Sequence, residues 1–124
     1  METRPTNGEL EILGVLWRRG PSSVRAVHEE LSRNRNAGYT TVLKLMQIMA
    51  DKGLVTRDTG NRAHVYSPAV EQSEARRSLT EDLVTRLFEG SAAQLAMQAL
   101  GSKKANPEEL AEIRQLLDHL EAEQ

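Results

Sequence analysis

The chain has 124 residues, enough for one domain or for a small domain with an extension. Its 39% hydrophobic and 27% charged residues are typical of a globular protein, and its 3% aromatic residues leave the core to aliphatic side chains. The absence of cysteine excludes disulfides, thiolate catalysis and Cys-ligated metal sites. No apolar run is long enough to cross a bilayer and no apolar signal region follows the N-terminus, so we expect a cytoplasmic protein without membrane contact.

The formal net charge of −2 is distributed unevenly along the chain. Residues 18–67 carry nine basic and four acidic side chains, whereas residues 79–124 carry four basic and nine acidic ones. A basic segment followed by an acidic one indicates that the first segment meets a polyanion such as nucleic acid.

Three helices are predicted in the first half of the chain, over about 7–19, 24–34 and 39–52. Capping residues precede the first two helices, and glycine follows the first and the third. The third helix has apolar residues at i, i+3, i+4 and i+7, which is the pattern of a helix packed on a core. These residues are Val42, Leu45, Met46 and Met49.

A change to strand periodicity follows the third helix. Residues 54–57 and 63–67 favour strands, and residues 58–61 have the composition of a turn. The resulting hairpin carries Arg62 at its tip, flanked by Arg57. Three helices followed by a two-stranded hairpin predict a winged helix-turn-helix, and therefore a mainly α fold.

The remainder of the chain is predicted to form three more helices. They begin near residue 71, at Ala92, and after the capping pair Asn106-Pro107. We therefore expect a winged-helix DNA-binding domain over 1–70 and a helical dimerisation domain over 71–124. Three helices without a sheet rarely bury this much apolar surface within one chain, so a homodimer is expected ahead of a monomeric bundle. The predicted dimerisation residues are Leu79, Leu83, Leu87, Phe88, Leu95, Leu110, Ile113, Leu117 and Leu120.

The outward face of the third helix is polar. It presents Thr40, Lys44, Gln47 and Asp51, of which the threonine, lysine and glutamine can hydrogen-bond to base edges or phosphates. Such a helix is the one that a helix-turn-helix protein inserts into the major groove. Arg62 is expected to enter a minor groove or bind a phosphate, or else to be an exposed turn residue.

Several ordered segments resemble the penicillinase-repressor (BlaI/MecI) family. They cover nearly the whole chain and include Glu9-Leu10-Glu11-Ile12, Val15-Leu16-Trp17, Gly20-Pro21, Val27-His28-Glu29-Glu30-Leu31, Tyr39-Thr40-Thr41-Val42, Asp51-Lys52-Gly53-Leu54-Val55, Arg62-Ala63-His64-Val65-Tyr66 and Leu87-Phe88-Glu89-Gly90-Ser91. Each segment alone is weak, and the ordered set is specific.

The resemblance implies a homodimeric winged-helix transcriptional repressor that binds operators with inverted repeats. It implies that DNA is read by Tyr39, Thr40, Thr41, Lys44 and Arg62. In the best-known members of the family a sensor metalloprotease signals antibiotic exposure, and the repressor is then cleaved in its dimerisation region. The possible cleavage region aligns with Gln98 and Ala99 in this chain.

This chain departs from the family pattern at three places. Gln98-Ala99 stands where the best-known members have the Asn-Phe pair that is cleaved. Lys44 stands where many relatives have Thr, and Ile48 stands where many have a basic residue, so the half-site preference is expected to differ. The cysteine cluster of a copper-responsive branch is absent, and no cofactor or metal is expected.

Functions of other classes have less support in the sequence than DNA binding. The three histidines, His28, His64 and His119, share no metal-ligand spacing, and no phosphate-binding loop or nucleophile motif is present, so an enzyme is not expected. A winged-helix adaptor for protein partners remains an alternative, which the basic segment and the polar helix face disfavour. A winged-helix regulator released by a small-molecule effector also remains open.

Overall fold

The computed structural model describes residues 4–60 and 62–124. In the described part of the chain, six helices and one two-stranded antiparallel sheet form a winged helix followed by a helical segment, which confirms the predicted mainly α fold. The elements are α1 (Asn7–Arg19), α2 (Val24–Ser32), α3 (Tyr39–Lys52), β1 (Val55–Asp58), β2 (Val65–Pro68), α4 (Gln72–Leu87), α5 (Ala92–Ser102) and α6 (Pro107–Ala122).

The chain divides into two compact units, Met1–Arg76 and Arg77–Gln124. The division falls inside α4, so the first residues of this helix belong to the first unit. The assignment of residues 1–70 to DNA binding and of 71–124 to dimerisation stays a prediction.

The core of the first unit is mainly aliphatic, as the shortage of aromatic residues requires. Buried side chains of α1, α2 and α3 meet there with the start of β1 and with Tyr66 of β2. Val42, Met46 and Met49 are buried as predicted, whereas Leu45 is half-buried at the margin of the core. The buried residues are Ile12, Leu13, Val15, Leu16, Val24, Val27, Leu31, Ala37, Val42, Met46, Met49, Leu54, Val55 and Tyr66.

Local interactions define the start of α1 and the end of α3. Thr6 caps α1: its Oγ1 accepts a hydrogen bond from the Glu9 backbone N–H at 3.3 Å, and Glu9 Oε1 accepts one from the Thr6 backbone N–H at 2.8 Å. At the end of α3, Gly53 has φ +82°, a left-handed conformation that a side chain would strain. This turn directs the chain into β1.

The wing is anchored to the helices through its second strand. β1 and β2 pair from Val55 with Pro68 to Asp58 with Val65. Ser22, just before α2, exchanges backbone hydrogen bonds with Tyr66 at 3.0 and 2.8 Å. The wing and the start of α2 are therefore held side by side by contacts between residues far apart in sequence.

Several element boundaries differ from the sequence prediction. β1 begins at Val55 rather than residue 54, because the Leu54 backbone N–H closes the turn after α3 by donating to Met49 O at 2.9 Å. β2 begins at Val65 rather than residue 63 and includes Pro68, which is tolerated at the edge of a two-stranded sheet. α5 continues to Ser102, beyond the predicted stop before Gly101.

Candidate nucleic-acid interface

The beginning of α3 is positioned by the helix that precedes it. His28 Nε2 lies 2.7 Å from the Ala37 carbonyl oxygen; because a carbonyl only accepts, the ring nitrogen donates this hydrogen bond. The His28 and Tyr39 rings meet edge to face with centroids 5.5 Å apart. The loop between α2 and α3, and with it the first residue of α3, is thereby attached to α2.

The outward face of α3 carries the predicted DNA-reading residues in accessible positions. Thr40, Thr41, Lys44 and Gln47 are all exposed, and Tyr39 is 47% exposed. The opposite face holds the buried Val42, Met46 and Met49. The helix therefore exposes hydroxyl, ammonium and amide groups at its solvent face, all of which can hydrogen-bond to base edges or phosphates.

The wing tip is the second part of the candidate interface. Its turn is closed by Asp58, whose Oδ1 accepts a hydrogen bond from the Gly60 backbone N–H at 2.9 Å. Arg62 is exposed directly after this turn. Within the described residues, Arg62 and Arg57 have no ion-pair partner, so both guanidinium groups are available to an external anion.

A cavity of about 400 Å³ lies between α3, the start of α2 and the wing. It brings together Tyr39, Gln47 and Arg62 of the predicted set, whereas Thr40, Thr41 and Lys44 do not line it. The described residues that line it include three arginines and no carboxylate. They are Ser23, Val24, Arg25, Tyr39, Leu43, Gln47, Arg57, Arg62, Ala63, His64 and Tyr66.

Eight of the lining residues were not part of the predicted site, and three of these carry basic side chains: Arg25, Arg57 and His64. Arg57 had a signal in the sequence, since it flanks the turn that carries Arg62. Arg25 had none, because its proximity to the wing depends on the long-range pairing of Ser22 with Tyr66. Arg25 makes one weak, exposed ion pair with Glu29 at 4.0 Å, which leaves it free to contact another anion.

Most large apolar side chains of the second unit are exposed to solvent. None of residues 77–124 is fully buried, although the helices are rich in leucine. Of the predicted dimerisation residues, Leu83, Leu87, Leu110, Leu117 and Leu120 are exposed, with Leu87 the most exposed at 68%. Leu79, Phe88, Leu95 and Ile113 are half-buried. Met97, Leu100 and Leu116 are exposed apolar residues of the same helices.

The possible cleavage region lies within regular structure. Gln98 and Ala99 are exposed residues of α5, and Gln98 Nε2 donates a hydrogen bond to Ser102 Oγ at 3.1 Å. The non-helical segment nearest to them begins at Lys103, whose backbone N–H donates to the Ala99 carbonyl at 3.1 Å.

The described residues contain neither a cluster of metal-binding side chains nor a membrane-spanning helix. No group of three or more His, Cys, Asp or Glu side chains among them could hold a metal ion. None of the helices in the described ranges has the length and apolar character needed to span a bilayer.

Known proteins are similar to this chain over nearly its whole length. The family model described as penicillinase repressor matches residues 5–119. A relative named transcriptional regulator BlaI, from Mycobacterium tuberculosis, is 34% identical over 118 residues, covering 93% of this chain and 85% of the relative. A penicillinase repressor from Bacillus licheniformis is 22% identical and covers 91% of this chain and 88% of its own.

Further matches are more distant. The methicillin resistance regulatory protein MecI of Mammaliicoccus sciuri is 20% identical, covering 91% of this chain and 92% of its own. The structure of the transcriptional regulator Tm0710 from Thermotoga maritima has a TM-score of 0.50 and 17% identity, covering 96% of this chain and 80% of its own, which is a likeness of fold. The length of the family match and the 34% identity to one relative establish the assignment: the chain belongs to the penicillinase-repressor family, whose members are transcriptional repressors and not enzymes.

Proposed function

We propose that this protein represses transcription by binding a palindromic DNA operator as a homodimer. The observation that carries the proposal is the joint exposure of the polar face of α3 and of the arginines at the wing. The α3 face offers Thr40, Thr41, Lys44 and Gln47 to base edges, and Arg57 and Arg62 offer charge to the backbone.

The outward face of α3 and the arginines near the wing have different proposed roles. The side chains on α3 discriminate between sequences, because base edges in the major groove present distinct donor and acceptor patterns. The arginines of the wing and Arg25 at the start of α2 neutralise phosphates, which contributes affinity for any duplex. Tyr39 lies at the junction, since it is on α3 and also lines the cavity beside the wing.

The proposed homodimer rests on the second unit. A segment in which no side chain is fully buried leaves its leucines in water, and burying one leucine contributes about 1.5–3 kcal/mol. Pairing two copies about a two-fold axis would cover these residues and present two α3 helices to successive major-groove faces, about 34 Å apart.

A binding selection from a random duplex library tests the proposal directly. The full-length protein should enrich an inverted repeat, and it should bind the enriched duplex far more tightly than a scrambled duplex of equal length. Enrichment of no sequence would contradict sequence-specific binding and would favour the adaptor alternative, in which the winged helix is an adaptor and the C-terminal helices engage a protein partner.

For release from DNA, we propose an inducing signal such as proteolysis by a sensor metalloprotease within the dimerisation region. Cleavage at Gln98-Ala99 requires local opening of α5, because a protease acts on a locally opened chain rather than on a hydrogen-bonded helix. Mass spectrometry of the chain recovered from induced cells tests this, and an intact chain under induction would contradict it.

A small-molecule effector is the second candidate for the releasing signal. An open cavity of about 420 Å³ lies along α5 and is lined by Phe88, Gln94, Met97, Gln98, Gly101 and Ser102. Its volume falls within the range of small-molecule sites. Release of the DNA complex by a metabolite extract passed through a protein-excluding filter would favour this candidate over proteolysis.

A further inference from the structure

The exposed large hydrophobic residues of the first unit are confined to one helix. Among its described residues there are two, Tyr39 and Ile48, and both belong to α3. Tyr39 has a partner in the ring of His28, whereas Ile48 is 42% exposed and lies one turn after the exposed Lys44. Single exposed aliphatic residues are ordinary on protein surfaces, so the position of Ile48 on the helix is what matters.

Helical geometry places Ile48 within the proposed DNA-reading face. At about 100° per residue, it lies one turn beyond Lys44 and two turns beyond Thr41, between the two in angle around the axis. Both of these neighbours are exposed, and the buried stripe of Val42, Met46 and Met49 lies on the other side of the helix. An α3 helix that enters a major groove with Lys44 would carry Ile48 into the same groove.

We propose that Ile48 is a specificity-determining residue that contacts the C5-methyl group of a thymine in each operator half-site. The C5-methyl group of thymine is the apolar feature that the four bases offer in the major groove, and a branched aliphatic side chain can only make an apolar contact there. Contact with Ile48 would remove water from a phosphate, or from a polar base edge without this methyl group. That loss is unfavourable because Ile48 can offer no hydrogen bond in return. This inference rests on the proposed function and specifies what the α3 face selects.

Replacing thymine by uracil in the duplex tests the contact, because uracil lacks only the C5-methyl group. The operator is first enriched from a random duplex library with the full-length protein, and each thymine of a half-site is then replaced in turn. Uracil at one position should weaken binding about fourfold, the change that corresponds to one buried methyl-sized group. The remaining replacements report the background effect of uracil in the same duplex.

The matched variants are Ile48→Ala and Ile48→Val. The alanine variant should bind the thymine and uracil duplexes equally, whereas the valine variant, which retains branched methyl groups, should keep most of the preference. Their melting temperatures and sedimentation should equal those of the parent, because Ile48 is outside the core.

Several outcomes would overturn the inference without touching the proposed function. They are an enriched operator with no thymine, a uracil penalty that persists unchanged in Ile48→Ala, and equal binding of every uracil duplex by the parent protein. A lower melting temperature or an altered oligomeric state in Ile48→Ala would also overturn it, since either would assign Ile48 to packing. Failure to enrich any operator would instead contradict the proposed function itself.

Discussion

Lys52 and Glu9 form an ion pair between the last turn of α3 and the first turn of α1, with Nζ and Oε1 2.7 Å apart. The Glu9 side chain is only 2% exposed, and the same oxygen also accepts the Thr6 backbone N–H at 2.8 Å. The carboxylate suits the positive end of α1 and the ammonium suits the negative end of α3. This pair attaches the end of the proposed DNA-reading helix to the rest of the unit.

Lys52→Met should destabilise the first unit by about 1–3 kcal/mol, because it leaves the buried Glu9 carboxylate without its ammonium partner. Lys44→Met is the matched control, with the same chemical change at an exposed position of the same helix. Urea unfolding at pH 7 measures the difference. Equal midpoints for the two variants would show that the ion pair contributes little.

The stability of the unit should depend on pH through Glu9. Burial raises the pKa of this carboxyl, but hydrogen bonds from Lys52 and Thr6 and the charge of Lys52 outweigh burial and hold the pKa below its ordinary value of 4.5. The stabilisation is therefore complete above about pH 4.5 and is lost as the pH falls through the lower pKa of the folded state. As the pH falls from 4.5 towards the acid unfolding transition, the free energy of unfolding should decrease less in the Glu9→Gln variant than in the parent protein. Parallel curves for both proteins would contradict the assignment.

Operator binding should weaken steeply with salt. If each protomer neutralises about four phosphates, a dimer meets about eight, and log K against log[salt] should have a slope near −7. Arg57→Ala should reduce the magnitude of this slope, whereas Arg33→Ala should not, because Arg33 pairs with Glu30 at 3.4 Å and does not line the cavity beside the wing. Fluorescence anisotropy titrations at several salt concentrations measure the slope. A slope near zero would contradict phosphate binding by this surface.

Substitutions on α3 and on the wing should affect binding differently. Thr41→Ala and Lys44→Ala should each cost about 1–3 kcal/mol on the enriched operator where a base contact is lost, and little on a scrambled duplex. Arg62→Ala should weaken binding to both duplexes by similar factors, because a phosphate contact is independent of sequence. All three residues are exposed, so circular dichroism should report unchanged helicity. If all three variants bound the operator with the affinity of the parent, the assignment of these residues to DNA binding would be wrong.

A charge placed on the apolar side of α6 should separate the proposed dimer. Leu117→Asp should give a monomer by sedimentation and weaken binding to the full palindrome by about 10²–10⁴-fold, because two linked half-site contacts become independent. Leu117 is 52% exposed within one chain, so the variant should still fold. Gln115→Asp adds the same charge on the opposite side of the helix and should remain dimeric. A dimeric Leu117→Asp protein would show that α6 does not form the interface.

Local chemistry in the sequence was sufficient to predict the elements of the fold. The periodicity of Val42, Met46 and Met49 marks the buried side of α3, and the glycine after Lys52 marks its end, because both signals act within a few residues. The wing was predicted for the same reason, from two short strands around a turn. The strand boundaries were less accurate, since pairing and the turn after α3 decide them.

The tertiary structure decided which distant residues meet. The amphipathic pattern of α3 shows which face is outward, but the bridge between Ser22 and Tyr66 is what brings Arg25 beside the wing, and no local pattern encodes that pairing. Similarly, the sequence places Glu9 near the start of the first predicted helix, and only the packing of α1 against α3 shows that it is buried with Lys52. The sequence by itself determined the helices, the wing and the polar face of α3, because hydrophobic period and capping are local. Contacts between segments far apart along the chain depend on how the helices pack, and these contacts determined the arginine-lined cavity and the buried ion pair.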